Sequence, residues 1–214
     1  TGHYARVRET PAGHQLLKGL DPAKDVELVQ QQFDMQGLLN REIDAAEAMT
    51  YNEYAQLLET INPDTGELYK PEDFTVINYT EYGVGMLQDA IWASEERLAD
   101  AAYQDLTQRF VTASLKGWIH CRDNAQECAE IVTANGSQLG ASHQLWMMNE
   151  VNKLIWPSPA GIGVMDAAAW QQTVDISLNT PNLDGLTVIT AEPPATAYTT
   201  QYAEAANAAL TAEG

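Results

Sequence analysis

The fold class is decided by residues 26–53, which read VELVQQQFDMQGLLNREIDAAEAMTYNE. Residues 26–31 alternate apolar and polar side chains, and this pattern predicts a strand. Residues 35–41 predict a short helix, residues 43–49 a second strand, and residues 51–61 a second helix. The order strand, helix, strand, helix favours a parallel sheet covered by helices, and therefore an α/β fold.

The signals that bound these elements lie at the second helix. Thr50 is a residue type that caps helices, and Glu53 stands in the capping-box position three residues later. Residues 62–66, Asn-Pro-Asp-Thr-Gly, are dense in turn formers. Residues 74–78 carry the β-branched and aromatic side chains of a further strand.

The character of the chain changes near Gly83, after which helical periodicity dominates. From residue 101 to residue 156 apolar side chains recur at spacings of three and four, with a break at residues 122–124 and another at Gly136. Pro157 ends that region, Asp166 is placed to cap the next helix, and residues 198–210 predict a last, alanine-rich helix.

Composition excludes several classes of function. The 214 residues carry a net charge of −19, so nucleic-acid backbones and anionic lipid surfaces would repel the chain. No apolar stretch approaches the roughly 20 residues that span a bilayer. Two cysteines without paired histidines do not make a tetrahedral metal site, and we expect no metal and no cofactor.

The two cysteines, Cys121 and Cys128, flank the predicted break between helices. In an exported protein they would form a disulfide. In a reducing cytoplasm they would be buried free thiols. Their spacing leaves both interpretations open.

Several motifs in this order resemble solute-binding proteins of ABC importers, in the branch related to thiamine-pyrimidine synthases. They are FDM at 33–35, EIDAAEAMTYNE at 42–53, GVGMLQD at 83–89, WIHCRDN at 118–124 and HQLWMMNEVNKLIWP at 143–157. The resemblance covers about residues 14 to 210. It implies a two-lobed periplasmic-binding-protein type II fold, and a protein that delivers riboflavin or a thiamine pyrimidine precursor to an ABC permease.

The resemblance also implies how the lobes divide. We expect residues 1–82 to be lobe two and residues 83–214 to be the crossover and a mostly helical return to lobe one, with the N-terminal part of lobe one lacking. Such a protein would be a monomer that is exported, either periplasmic or lipid-anchored at the outer face of the cytoplasmic membrane. It would close about a hinge on its ligand without catalysing a reaction.

Two loops at the ends of predicted strands supply candidate ligand contacts. Phe33 and Asp34 offer a ring and a carboxylate. Tyr51, Asn52 and Glu53 offer a stacking ring, an amide and a carboxylate. A flat nitrogen heterocycle presents donors and acceptors on its edges and a π face above and below, which these groups match. The family's pyrimidine binders use a Tyr and a Glu in the loop that matches Tyr51 to Glu53.

A third group of candidates, Tyr82, Gln88 and Asp89, lies beside the predicted hinge and would close over the ligand. For Glu53 the alternative is a helix-capping carboxylate, and for the hinge residues it is ordinary packing. Each histidine stands singly in the sequence, as structural hydrogen-bonding residues do: His3, His14, His120 and His143. Three tryptophans in or between predicted helices are most simply core: Trp146, Trp156 and Trp170.

Two other functions are compatible with the same fold. A pyrimidine synthase would use a histidine, a pyridoxal phosphate lysine and a cysteine-rich iron motif, none of which is recognisable in the sequence. A sulfonate- or nitrate-binding protein would want cationic or amide-rich loops, and Asp34 and Glu53 argue against an anion site.

Overall fold

A computed structural model describes residues 3–7, 26–182 and 185–212 of the chain. The chain divides into two compact units. Unit one comprises residues 1–76 and 129–150, and unit two comprises residues 77–128 and 151–214. The predicted lobe division at residues 82 and 83 stays a prediction.

Unit one contains a two-stranded sheet. Strand β1 (His3–Val7) pairs antiparallel with β2 (Val26–Gln30), so that His3 lies opposite Gln30 and Val7 opposite Val26. The prediction of a strand beginning at residue 26 is confirmed. The expectation of a parallel, helix-covered sheet is wrong for the described residues, whose single sheet is this antiparallel pair.

Two short helices follow in unit one, α1 (Gln36–Leu39) and α2 (Glu53–Leu58). Both were expected, but α2 is shorter than the predicted span of 51–61. Asn52, not Thr50, is the N-cap residue of α2. The helix stops before Ile61 because Ile61 pairs with Leu68 in an isolated β-bridge across the turn.

The two further strands that the sequence predicted are absent from the described residues. Residues 43–49 have no regular structure. Alanine and glutamate, which fill most of this segment, are poor strand formers, and the Glu47 carbonyl accepts a side-chain hydrogen bond instead of a ladder bond. Residues 74–78 follow a 3-10 turn at Pro71–Asp73, and Val76 and Ile77 are exposed, so the β-branched run finds no neighbouring strand.

The helical half of the chain agrees with the sequence prediction. The 3-10 turn Arg97–Ala99 precedes α3 (Ala101–Asp123), and then come α4 (Ala125–Ala134), α5 (Ala141–Ile155), α6 (Ala167–Asn179) and α7 (Gln201–Ala212). Asp100 caps α3 by accepting the Ala102 N–H. Asp166 caps α6 by accepting two backbone N–H groups, as predicted. None of the described helices is long and apolar enough to cross a membrane.

The core of unit two lies between α3 and α7. It is built by Val111 and Leu115 of α3, Ile162, and Ala203 and Ala206 of α7. The small alanines allow the helices to approach closely, so that the intervening loop packs onto both.

That loop, residues 161–163, reads Gly-Ile-Gly and is held by Asn207 of α7. The Asn207 amide donates to the Ile162 carbonyl at 2.9 Å, and a Cβ on Gly161 would lie 2.8 Å from the Asn207 side chain. Gly161 also has a φ of +104°, which other residues rarely adopt. The glycine pair therefore serves packing and backbone conformation.

The junction of α3 and α4 is fixed by a disulfide between Cys121 and Cys128, with the two Cα atoms 5.6 Å apart. The Asn124 side chain donates to the His120 carbonyl at 2.9 Å, and the Asn124 carbonyl accepts the Cys128 N–H at 3.1 Å. Of the two interpretations that the sequence left open, the structure shows the bridged pair.

Candidate functional site

The candidate loop of unit one, residues 49–53, is organised around the carboxylate of Glu53. The Glu53 residue is only 8% exposed. One of its oxygens accepts the backbone N–H of Met49 at 3.0 Å, and the other accepts the side-chain N–H of Asn52 at 3.0 Å. A buried carboxylate thus closes the loop at the start of α2, where the helix dipole also favours negative charge.

Helix α5 supports this loop from the other part of unit one. His143, which is 2% exposed, places Nε2 at 2.9 Å from Oδ1 of Asn52 and Nδ1 at 2.8 Å from a carboxylate oxygen of Glu59. Glu59 directly follows α2. The ring therefore bridges the two ends of that helix.

A second contact from α5 reaches the same loop. Trp146 donates its ring N–H to the carbonyl of Thr50 at 3.1 Å. Trp146 and His143 are three residues apart and lie on one face of the helix. Helix α5 therefore anchors the loop at two points, Thr50 and Asn52.

The other predicted loop of unit one is connected to the same segment through Gln31. The Gln31 side-chain amide donates to the carbonyl of Asp34 at 3.1 Å and to that of Glu47 at 3.2 Å. The Asp34 carboxylate accepts the Gln36 N–H at 2.9 Å and so turns the chain into α1. Gln31 consequently ties the loop at residues 33–35 to the segment that leads into residues 49–53.

The predicted ligand residues are placed as follows. Phe33 is 88% exposed beside Asp34, Tyr51 and Asn52 are half-buried, and Glu53 is buried, all within unit one. Tyr82, which is 70% exposed, and the exposed Gln88 and Asp89 belong to unit two. Their roles as ligand contacts stay predictions.

The segment of unit two that carries Tyr82, Gln88 and Asp89 has no helix or strand. It is fastened to α6 by two hydrogen bonds. The Gln172 side chain donates to the Gly85 carbonyl, and the Leu87 N–H donates to the hydroxyl of Thr173. The backbone on either side of Met86 is thereby positioned, while the candidate side chains stay open to solvent.

Sequence reasoning missed the supporting residues His143, Trp146, Glu59 and Gln31. The expectation that single histidines act as structural hydrogen-bonding residues is confirmed for His143. The assignment of Trp146 to the core is corrected, because its ring is only half-buried and its N–H serves the loop. A signal was present in the His-x-x-Trp spacing of a helix, which puts two polar ring N–H groups on one face.

The charge of the site is dominated by carboxylates. Within the described ranges, no group of three or more His, Cys, Asp or Glu side chains is arranged to hold a metal ion.

In unit two, the Arg122 guanidinium donates to both oxygens of the neighbouring Asp123 and lowers the pKa of that carboxyl, while desolvation opposes the shift.

A buried carboxylate that is oriented by an amide, on a loop that also carries a tyrosine, supplies groups suited to binding a small polar molecule. The NMT1/THI5-like family model matches residues 15–128, more than half of the chain. The chain belongs to the NMT1/THI5-like family. This family has the periplasmic-binding-protein type II fold; most of its members bind solutes, and THI5 itself is a pyrimidine synthase.

A local similarity to a different protein is confined to 27 residues. Over that stretch the chain is 78% identical to the tRNA-specific 2-thiouridylase MnmA of Paracidovorax citrulli (strain AAC00-1). The match covers 12% of this chain and 7% of that protein. It therefore carries no argument about activity. No solved structure matches the chain.

Proposed function

We propose that this chain is the solute-binding component of an ABC importer, and that it captures riboflavin or a thiamine pyrimidine precursor. The observation that carries the proposal is the buried carboxylate of Glu53, which Met49 and Asn52 hold in place on the same short loop as Tyr51. A carboxylate has about four acceptor positions. The loop itself uses two of them, for Met49 and Asn52, so acceptor capacity is left for ligand N–H groups.

The chemistry of the proposed ligand fits these groups. A flat aminopyrimidine or isoalloxazine has N–H donors on its edge, for which an ionised carboxylate is a strong acceptor. Its π face stacks on an aromatic ring, the part we assign to Tyr51 and Phe33. Asn52 and Asp34 complete the proposed edge contacts. Free inorganic anions lack such donors, and a carboxylate-lined site would repel them.

The proposed mechanism is hinge closure. A ligand that makes more contacts in the closed form shifts the population toward that form, and a permease in the membrane recognises it. Tyr82, Gln88 and Asp89 are the residues we propose to close over the solute. The solute leaves chemically unchanged, and the protein acts as an exported monomer, periplasmic or lipid-anchored.

The experiment is isothermal calorimetry with riboflavin and the thiamine pyrimidine precursor, using thiamine and an alkyl sulfonate as comparison ligands. Micromolar or tighter binding of one heterocycle supports the proposal. Weaker binding by Tyr51→Ala and Glu53→Gln would place the ligand at this loop. Glu72→Gln, which makes the same charge change on an exposed side chain of unit one, is the matched control and should bind as the wild type does.

Preferential binding of the sulfonate would overturn the choice of ligand. To test for a synthase, the protein is incubated with pyridoxal phosphate and the absorbance of a lysine Schiff base is followed, and iron binding is measured in parallel. Stoichiometric formation of the Schiff base together with iron uptake would replace the transport proposal by the enzymatic one.

A further inference from the structure

We propose that His143 is a positioning residue whose doubly protonated ring holds the candidate ligand loop in place, so that ligand affinity falls as the ring loses a proton. This inference rests on the proposed function for its affinity readout. Its structural part concerns the ligand-free protein and is tested separately.

The first step fixes the orientation of the Asn52 amide. Its Nδ2 lies 3.0 Å from a carboxylate oxygen of Glu53, and only the NH₂ group can donate there. Oδ1 of Asn52 must then be the atom that faces His143 at 2.9 Å. A carbonyl oxygen accepts hydrogen bonds and cannot donate them. Nε2 of His143 therefore carries a proton.

The second step concerns the other ring nitrogen. Nδ1 lies 2.8 Å from Glu59, whose side chain is 41% exposed and whose carboxylate is solvated. An ionised carboxylate only accepts hydrogen bonds. Nδ1 must carry a proton as well, and the ring that satisfies both contacts is an imidazolium.

The third step is the consequence of losing one of these protons. A neutral imidazole has one donor and one acceptor nitrogen, so one ring nitrogen would face an oxygen with no proton between them. In a site this buried, two facing acceptors repel and cost about the value of a hydrogen bond. Either Asn52 or Glu59 would then lose its anchor on α5.

The charged groups around the ring set the direction of the effect. Glu59 faces Nδ1 directly, and Glu53 faces the ring through Asn52. On its own helix, the nearest ionisable side chain within unit one is Glu150, two turns along. All three are acidic, and Glu59 together with the Asn52 amide that Glu53 orients leaves both ring nitrogens facing acceptors, which is the geometry that a ring with two N–H groups satisfies.

The link to the ligand is the shared Asn52. The same amide that touches His143 also touches the Glu53 carboxylate, which is the proposed acceptor of the ligand. A shift of this amide reorients that carboxylate. Trp146 anchors the same loop through a ring N–H that does not titrate, which provides a comparison within the molecule.

The structural test uses ¹⁵N-histidine NMR of the ligand-free protein, with the His143 signals assigned by their loss in His143→Gln. We expect two ring N–H signals protected from exchange at about pH 6, the region in which histidine normally titrates. One protonated and one unprotonated ring nitrogen at that pH would overturn the proposal, whether or not any ligand binds.

The affinity test uses riboflavin and the thiamine pyrimidine precursor at about pH 5.5 and about pH 8. The wild type should bind about 3- to 10-fold more weakly at the higher pH, the equivalent of one hydrogen bond. Glu59→Gln should flatten this pH profile, because its amide can donate to an unprotonated Nδ1. Glu72→Gln should keep the wild-type profile.

Trp146→Phe should weaken binding at both pH values and leave the shape of the profile unchanged, since it removes an anchor without a titrating group. A pH profile in Glu59→Gln that equals the wild-type profile would overturn the proposal. If neither compound binds at either pH, the proposed function fails, and the NMR result still decides the protonation and role of His143.

Discussion

Replacing Glu53 by glutamine tests the organisation of the candidate loop most directly. Both carboxylate oxygens receive a donor, the N–H of Met49 and the amide of Asn52, each at 3.0 Å. Glutamine has one acceptor oxygen, so its NH₂ group must face one of those two donors. Glu53 is 8% exposed, so water replaces the lost hydrogen bond poorly in the ligand-free protein.

We expect Glu53→Gln to lower the free energy of unfolding by about 1–3 kcal/mol, the cost of a buried donor without an acceptor. For a protein of this size, 2 kcal/mol corresponds to a fall of about 4–8 °C in Tm. Helix capping alone would not give this result, because glutamine substitutes well for glutamate in a capping box, where a single acceptor suffices.

The assay is denaturant unfolding together with hydrogen exchange at the Met49 amide. Exchange at this amide should become faster in Glu53→Gln, because the hydrogen bond from the Met49 N–H to the side chain at position 53 is weakened or lost. Glu72→Gln is the control for the loss of one negative charge. A change in unfolding free energy below about 0.5 kcal/mol, with unaltered exchange at Met49, would refute the assignment of a structural carboxylate here.

Three further predictions follow from the same structure. In calorimetry, Tyr51→Ala should weaken heterocycle binding by about 0.5–1.5 kcal/mol more than the loss of buried apolar surface alone accounts for. Tyr51→Phe keeps the ring and should retain most of the binding free energy. Equal losses in the two variants would exclude stacking. Alkylation without a reductant should leave Cys121 and Cys128 unlabelled by intact mass, and reduction should lower the unfolding free energy by about 2 kcal/mol because the closed loop is short. Two labels on the unreduced protein would contradict the bridge. The carboxyl carbon of Asp123 should titrate by NMR below the ordinary aspartate pKa because the Arg122 hydrogen bond favours its ionised form, and Arg122→Gln should return it toward the ordinary value. Because the pKa of Asp123 is lower in the folded protein than in the unfolded chain, the pair stabilises the fold fully at pH values above the pKa of the unfolded chain. This contribution is lost as the pH falls through the pKa that Asp123 has in the folded protein. The effect should be small and should weaken with salt, since both groups are exposed.

The helical part of the fold was predictable because its signals are local. Long apolar periodicity predicts α3 to α5, and the position of Asp166 before an alanine-rich run predicts the start of α6. The predicted strand at residues 43–49 failed for the opposite reason. Whether a short segment is a strand depends on a neighbour to pair with, and no local pattern reports that neighbour.

The candidate site was predictable to a similar degree. Tyr51, Asn52 and Glu53 were identified by residue type and by resemblance, and the structure places Asn52 and Glu53 in one hydrogen-bonded group. His143 lies 91 positions from Asn52, and although the His-x-x-Trp spacing puts two ring N–H groups on one helix face, nothing in the sequence identifies Asn52 as a partner. The partners that orient a loop are thus found only when the chain is folded.

The way α5 supports the loop has a consequence for dividing this protein into fragments. The family match ends at residue 128, but unit one also requires residues 129–150. A fragment trimmed to the matched region would keep Tyr51 to Glu53 and lose both His143 and Trp146. Its binding loop would be present in sequence but would lack the contacts that hold Thr50 and Asn52 in place. The smallest piece that preserves the loop is therefore set by a helix that the family boundary leaves out.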